Sequence, residues 1–332
     1  MHHCLRRARI LIWLWALVLA GAWAFPAAAQ VGSALVAVPW APGQTLSVKG
    51  YALGEETQTE DDFLGPGDDL NLARVVGFGR YRLDAENPNS LSVGWLYDHI
   101  EMKTDDVRLP ARLEASAVAV GANLGTHGDW SVGYTAGVGF AGDLPYADGE
   151  AWYGLGSLYA RHQLKGTPTF ITLFLDYDGS RSFLPDTPIP ALQYTVIESP
   201  TLTYSIGLPY SSLSWQPSDR VSIDAKFLVP MAGSAEASYK LDKQWSAYVL
   251  YEISTRGYHL ADDEKHRRLF FSQSRSELGL RYTFAQSGIQ VNAAGGYAFD
   301  QEFTRGFDTR HTELIRDVGD AVYVRVGVSA RF

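Results

Sequence analysis

Read backward from the C-terminus, every second residue is apolar: Phe332, Ala330, Val328, Val326, Val324, Val322. The residues between them, Arg331, Ser329, Gly327, Arg325 and Tyr323, are small or polar. A period of two makes one face of a strand apolar and the other not. The pattern recurs along the chain, and no long stretch of 3.6-residue period interrupts it. Fourteen segments carry it: 44–53, 70–83, 90–100, 113–124, 130–141, 151–164, 169–179, 201–215, 220–229, 235–241, 245–255, 272–284, 289–299 and 321–332. In 130–141 the even-numbered positions are Trp130, Val132, Tyr134, Ala136, Val138 and Phe140, with small residues between.

The connections sort into two kinds, and that sorting decides the architecture. DAENPN, GTHGD, KGTP, QPSD, DKQ and AQSG are short and rich in turn formers. They alternate with mostly longer, polar stretches such as 54–69, 180–200 and 300–320. A soluble sandwich has no reason to alternate its connections this way, whereas outer-membrane barrels pair short periplasmic turns with longer external loops. Aromatic residues stand at strand ends (Tyr81, Trp130, Trp215, Trp245, Phe284, Phe299), where headgroups would meet them. The expectation is an all-β chain, a transmembrane up-and-down antiparallel β-barrel of about 14 strands, with 12 as the alternative. Both termini then lie on the periplasmic side.

The N-terminus fits that destination. Arg6, Arg7 and Arg9 precede an apolar run from Ile10 to about Phe25, and Ala27-Ala28-Ala29 offers a cleavage site. These are the parts of a secretory signal peptide. The expected organisation is a cleaved signal over 1–29, an N-terminal periplasmic segment over 30–43, and a single outer-membrane barrel over 44–332. Removing 29 of the 332 residues leaves 303 without a cysteine, because Cys4 is the only one. Stability must then come from size and hydrogen bonding rather than disulfides. Losing three arginines leaves 25 basic against 37 acidic residues, a net charge of −12, which argues against nucleic acid as a partner. The expected partners are outer-membrane lipid and, during biogenesis, the barrel assembly machinery and periplasmic chaperones.

Two resemblances sharpen this. The terminal strand ending on Phe332, with Val326, Val328 and Ala330 in phase before it, resembles the β-signal of bacterial outer-membrane proteins, which implies a targeting role for those four residues. FLDYDGSRSFLPDTPIPALQY and GLPYSSLSWQPSDRVSIDAKFLVP, with AEASYKL and SRSELGLRYTF, resemble a Gram-negative outer-membrane barrel family classed as a domain of unknown function, over roughly 170–300. That likeness implies the fold and carries no activity.

Candidate chemistry is sparse. GVGFAG (137–142) has dinucleotide-loop spacing, but that motif needs a strand before it and a helix after it; here the glycines read as small lumen-facing residues. The acidic stretch 54–69 and the run 262–268 read as solvated loops. His99, with Ser116 and Glu114 on the next strand, would share the external rim on the lipid face, the minimum for acyl transfer, although no G-x-S-x-G occurs. By parity the lumen is lined by Arg74, Arg80, Arg82, Asp98, Asp176, Asp224, Lys226, Glu236, Lys240, Glu277, Arg281, Arg325 and Arg331. The function expected is a passive channel for small solutes or a structural envelope barrel, with no cofactor and no metal. The alternatives are a lipid-acting hydrolase and a surface that binds through its long loops.

Overall fold

The computed structural model describes residue 40 and residues 43–332, except 61–66, 88, 209, 229–231, 262, 265 and 286. The expected signal 1–29 and nearly all of the segment 30–43 lie outside the described residues. Within them the chain runs through β1 (Leu46–Gln58), β2 (Asp69–Arg82), β3 (Ser92–Lys103), β4 (Arg112–His127), β5 (Trp130–Gly142) and β6 (Trp152–Gln163). Next come β7 (Thr169–Asp178), β8 (Ile189–Ser199), β9 (Leu202–Leu208), β10 (Tyr210–Ser218), β11 (Val221–Leu228) and β12 (Ala232–Lys240). The chain closes with β13 (Trp245–Tyr258), β14 (Arg268–Thr283), β15 (Ile289–Gly306), β16 (Thr312–Val318) and β17 (Ala321–Arg331).

Each strand from β1 to β15 pairs antiparallel with the next. β16 and β17 both lie against β15, at different heights, so they count as one strand interrupted at Gly319 and Asp320. β17 pairs in turn with β1, from Ser47 opposite Arg331 to Glu55 opposite Tyr323. The sheet therefore closes on itself. At the seam the Phe332 carbonyl accepts from the Thr45 and Leu46 amides at 2.6 and 3.0 Å, and its own amide donates to Leu46 O at 3.1 Å.

Closure takes sixteen strands, not the fourteen expected. β8 lies inside the stretch 180–200 that reads as a loop, where Pro190 masks a strand start. The stretch 201–215 is a hairpin, with Ser205 opposite Ser212. Its turn left a trace in the sequence: the apolar positions are even through Leu208 and odd from Leu213. The added hairpin changes the count by two and leaves the turns on one end and the loops on the other. The rim is uneven, because β9 to β12 span 7, 9, 8 and 9 residues while β13, β14 and β15 span 14, 16 and 18.

The facing of side chains follows the alternation. On β17, Val322, Val324, Val326 and Val328 are 73, 65, 56 and 46% exposed, while Tyr323 and Arg325 are 1 and 3% exposed. The apolar face looks outward and the polar face inward, the reverse of a soluble protein and the arrangement a lipid surround requires.

Candidate functional site

The lumen has two unlike halves. At the loop end it is packed. Leu53, Leu70, Leu72, Ile100, Leu113, Tyr258, Phe271 and Tyr323 point inward and form one buried apolar cluster. A charge network runs through it. Asp98, 1% exposed, accepts from Arg74 Nε and Nη2 at 2.8 and 2.7 Å, and Arg256 Nη1 of β13 approaches the same carboxylate to 3.2 Å. Arg275 pairs with Glu252 at 3.0 Å and donates to the Tyr51 hydroxyl at 3.2 Å. Glu277 receives Arg325 and, at 2.9 Å, the Tyr323 hydroxyl. Gln273 donates to both Glu55 oxygens at 3.1 and 3.2 Å. These contacts tie β1–β3 and β17 to β13 and β14 through the lumen.

Glycine makes the packing possible at two points. A Cβ on Gly279 would come within 2.4 Å of the Tyr248 ring, and one on Gly296 within 2.4 Å of the Tyr323 ring. Each tyrosine therefore lies flat across the neighbouring strand instead of standing up into the lumen.

Backbone contacts also bridge the barrel at this end. Gly142 at the top of β5 bridges to His259, which follows β13, half-way round the ring; the His259 amide donates to Ala141 O at 2.9 Å and the Asp143 amide to His259 O at 3.2 Å. The β7–β8 loop arches across as well. Thr309 N donates to Ser182 O at 2.9 Å, Ser182 Oγ to Thr255 O at 3.3 Å, and Arg268 Nη2 to Arg181 O at 3.1 Å. Leu184 and Asp186 take left-handed φ values of 52 and 54° in this loop, and Leu184 N donates to Asp308 Oδ2 at 3.4 Å. Burial pushes the Asp308 carboxyl up, but hydrogen bonds from the Arg310 side chain and backbone outweigh it and hold the group below the usual aspartate range.

The other half, toward the turns, is open and lined by small hydroxyl residues. On β8 to β12, Thr195 and Ser205 share a hydrogen bond of 2.8 Å and Ser222 and Ser238 one of 2.7 Å. Ser212, Ser214 and Ser234 continue the inward face. Ser214, Asp224, Lys226 and Lys240 are exposed although they point inward, and Phe78 across the lumen is 42% exposed. That surface can only be met by solvent inside the barrel.

The lumen residues expected from parity divide between the halves. Arg74, Asp98, Asp176, Glu277 and Arg325 are buried in pairs, with Asp176 meeting Arg181 at 2.6 Å. Arg281 donates to Glu236 at 2.9 Å. Arg80 and Arg82 lie under the Trp40 ring at 4.0 and 5.1 Å from its centre. Asp224, Lys226, Lys240 and Arg331 are solvent-exposed. Sequence reasoning missed Lys49, Glu252, Arg256 and Arg275, although the same alternation on their strands carried the signal. Glu55 was expected in a solvated loop, but β1 runs on to Gln58 and buries it. Arg268 was expected to be solvated; it is 2% exposed and donates to Phe307 O at 2.9 Å.

The outer-face constellation assembles only in part. His99 stands opposite Glu114, with Nδ1 3.5 Å from Oε2, and Ser116 stands opposite Tyr97. Tyr146, from the β5–β6 loop, covers them at a left-handed φ of 59°. Its phenol bonds with Glu114, which pushes its pKa up, and also meets Ser116. Phe140 and Trp152 complete an aromatic cover, with ring centres 5.1 and 5.9 Å from Tyr146. No hydrogen bond joins Ser116 to His99 among the described residues, so the contact between nucleophile and base that acyl transfer needs is missing. The glycines of GVGFAG sit within β5, and no helix follows.

No family model and no curated protein matches the chain. Among solved structures it is similar to the toluene transporter TodX of Pseudomonas putida, at 9% identity over 93% of this chain and 95% of that one, with a TM-score of 0.41. A TodX deletion mutant, described as a monoaromatic hydrocarbon channel, gives 10% identity over 90% and 94% and a TM-score of 0.42. The translocator domain of autotransporter NalP from Neisseria meningitidis gives 11% over 87% and 89%, with a TM-score of 0.33. The closure of this barrel is carried by its own strand register.

Proposed function

We propose that the chain is an outer-membrane barrel that admits small polar solutes, with its turns and both termini in the periplasm and its loops outside. The observation that carries this reading is the polar inner wall of β10 to β12, where the inward Ser214, Asp224, Lys226 and Lys240 are exposed to solvent, behind an apolar outer face. A barrel built only for structure would fill that side as it fills the other. The path enters at the turn end, follows the hydroxyl wall, and passes the loop end beside β9 to β12, where the strands are shortest.

Single-barrel conductance in a planar bilayer tests it. Ser212→Trp and Ser214→Trp should each lower the conductance, because an indole fills the wall. A silent bilayer, with folded protein inserted, would leave a structural barrel. The hydrolase alternative predicts lipid turnover abolished by Ser116→Ala; the Tyr146–Ser116 contact weighs against it.

A further inference from the structure

The cations of the two halves are used differently. In the packed half, every arginine of the charge network meets a carboxylate: Arg74 and Arg256 share Asp98, Arg275 has Glu252, and Arg325 has Glu277. In the open half the balance fails. Arg331 on β17 and Arg80 on β2 flank Ser47 of β1 in one row, both facing inward. Lys49 is the next inward residue above Ser47. Lys226 reaches in from β11 and lies within electrostatic range of both Arg80 and Arg331. Among the described residues, Lys49, Lys226 and Arg331 have neither an ion pair nor a side-chain hydrogen bond. The spare carboxylate beside them is Asp224, two residues from Lys226 on the same face; Glu236 and Glu252, which also lie within electrostatic range of Lys49, are already paired with Arg281 and Arg275.

We propose that this basin binds a small multivalent oxyanion of the phosphate type, held by Lys49, Arg80, Lys226 and Arg331. Lys49, Lys226 and Arg331 face one spare carboxylate and repel one another, with Arg80 beside them, and a bound anion removes that cost. The donors favour an oxyanion over chloride. Two guanidinium forks and two ammonium groups supply many N–H bonds aimed at separate oxygens. The Tyr210 phenol, within reach of Arg80 and Ser212, and the Ser47 hydroxyl add neutral donors. The proposal deepens the channel reading, since the basin lies on the polar path and would select what enters it.

The test is a titration of refolded protein in detergent with inorganic phosphate, at ionic strength held constant with chloride. Trp40, stacked over Arg80 and Arg82, is the reporter, and Trp40→Phe identifies its share of the fluorescence. A saturable phosphate response is expected, weakened tenfold or more by Lys226→Gln and by Arg331→Gln. Lys226→Arg should restore it, which separates lost charge from lost folding. A response no different from that to chloride, or Gln variants that titrate like the parent, overturns the site. The same phosphate added to a bilayer separates the two readings. Binding without conductance sinks the channel and keeps the basin, whereas a phosphate-insensitive current with no titration keeps the channel and sinks the basin.

Discussion

Asp98 offers the sharpest test of how the loop end is held. Its carboxylate is buried and takes two bonds from Arg74, of β2, and the approach of Arg256, of β13. Asp98→Asn keeps the shape and removes the charge, leaving two guanidinium groups buried without a counter-charge. Breaking a buried ion pair from one side costs about 3–5 kcal/mol. A third charge shared at the same site puts the expectation in the upper part of that range. The control is Lys165, whose ammonium lies 3.6 Å from Asp129 at the turn end, 86% exposed; Lys165→Gln should cost about 0–1 kcal/mol. Denaturant unfolding of barrels refolded into vesicles measures both. A further arm makes the whole triad apolar, by Asp98→Leu, Arg74→Met and Arg256→Met together, and should recover much of the loss, because apolar substitutes of similar volume avoid the desolvation cost. If Asp98→Asn costs no more than Lys165→Gln, the buried network is not what holds β3 to β13.

Four further outcomes follow from the geometry. Val326→Arg puts a cation on the outward face and should cost about 2–4 kcal/mol near the midplane, whereas Ser214→Arg, inward and exposed, should refold like the parent; Gly327 is a poor lumen control, since a Cβ there would come within 3.0 Å of Gly50 O. Deleting Phe332 removes both the seam bonds to Thr45 and Leu46 and the proposed targeting residue, so folded barrel in cells should fall far more than for Arg331→Ala. Epitope tags in 307–311 should be reachable on intact cells and tags in 217–219 should not; the opposite labelling inverts the topology. Because the Asp308 carboxyl is held below its ordinary value, its contribution is fully present above the usual aspartate pKa and is lost as pH falls through the lower folded value. Hydrogen exchange across 180–186 should accelerate in that acid window, and Asp308→Asn should show the fast exchange at neutral pH.

The sequence made the barrel legible because period-two alternation is a local signal. Each strand declares its own faces, so the outward valines of β17 and the inward Arg74, Asp98 and Glu277 could be placed without knowing their neighbours. Strand count was less secure. It depends on turns, and the hairpin at 201–215 shows itself only as a shift of the apolar phase between Leu208 and Leu213, while β8 begins beside a proline. What alternation cannot supply is which inward residues meet across the lumen. Asp98 and Arg256 are 158 positions apart and join strands that are not neighbours; no local pattern links them. Glu55 was misplaced for a related reason, since a run of acidic residues reads as solvated until the partner that buries it, Gln273, is in view.

That distinction also explains why the lumen holds two kinds of charge. A guanidinium with a carboxylate across the lumen is a strut, and its burial is tolerated because the pair is complete. Lys226 and Arg331, of the same chemistry and the same inward parity, stay wet because no carboxylate crosses to complete them. The packed side keeps its own charges satisfied and so presents little net field to a passing ion. The unpaired cations lie where solvent enters, in a narrow water path whose walls screen charge less than bulk water does. The acidic external loops act through open solvent and are screened within about 8 Å at physiological salt. If the barrel conducts, the basin should therefore set the sign of selectivity, and reversal potentials in a salt gradient should show anion preference. Lys226→Gln with Arg331→Gln should shift that preference toward cations, while Asp98→Asn, in the packed half, should leave it in place. Cation preference in the parent barrel would refute this ordering and place the selective constriction among the acidic loops.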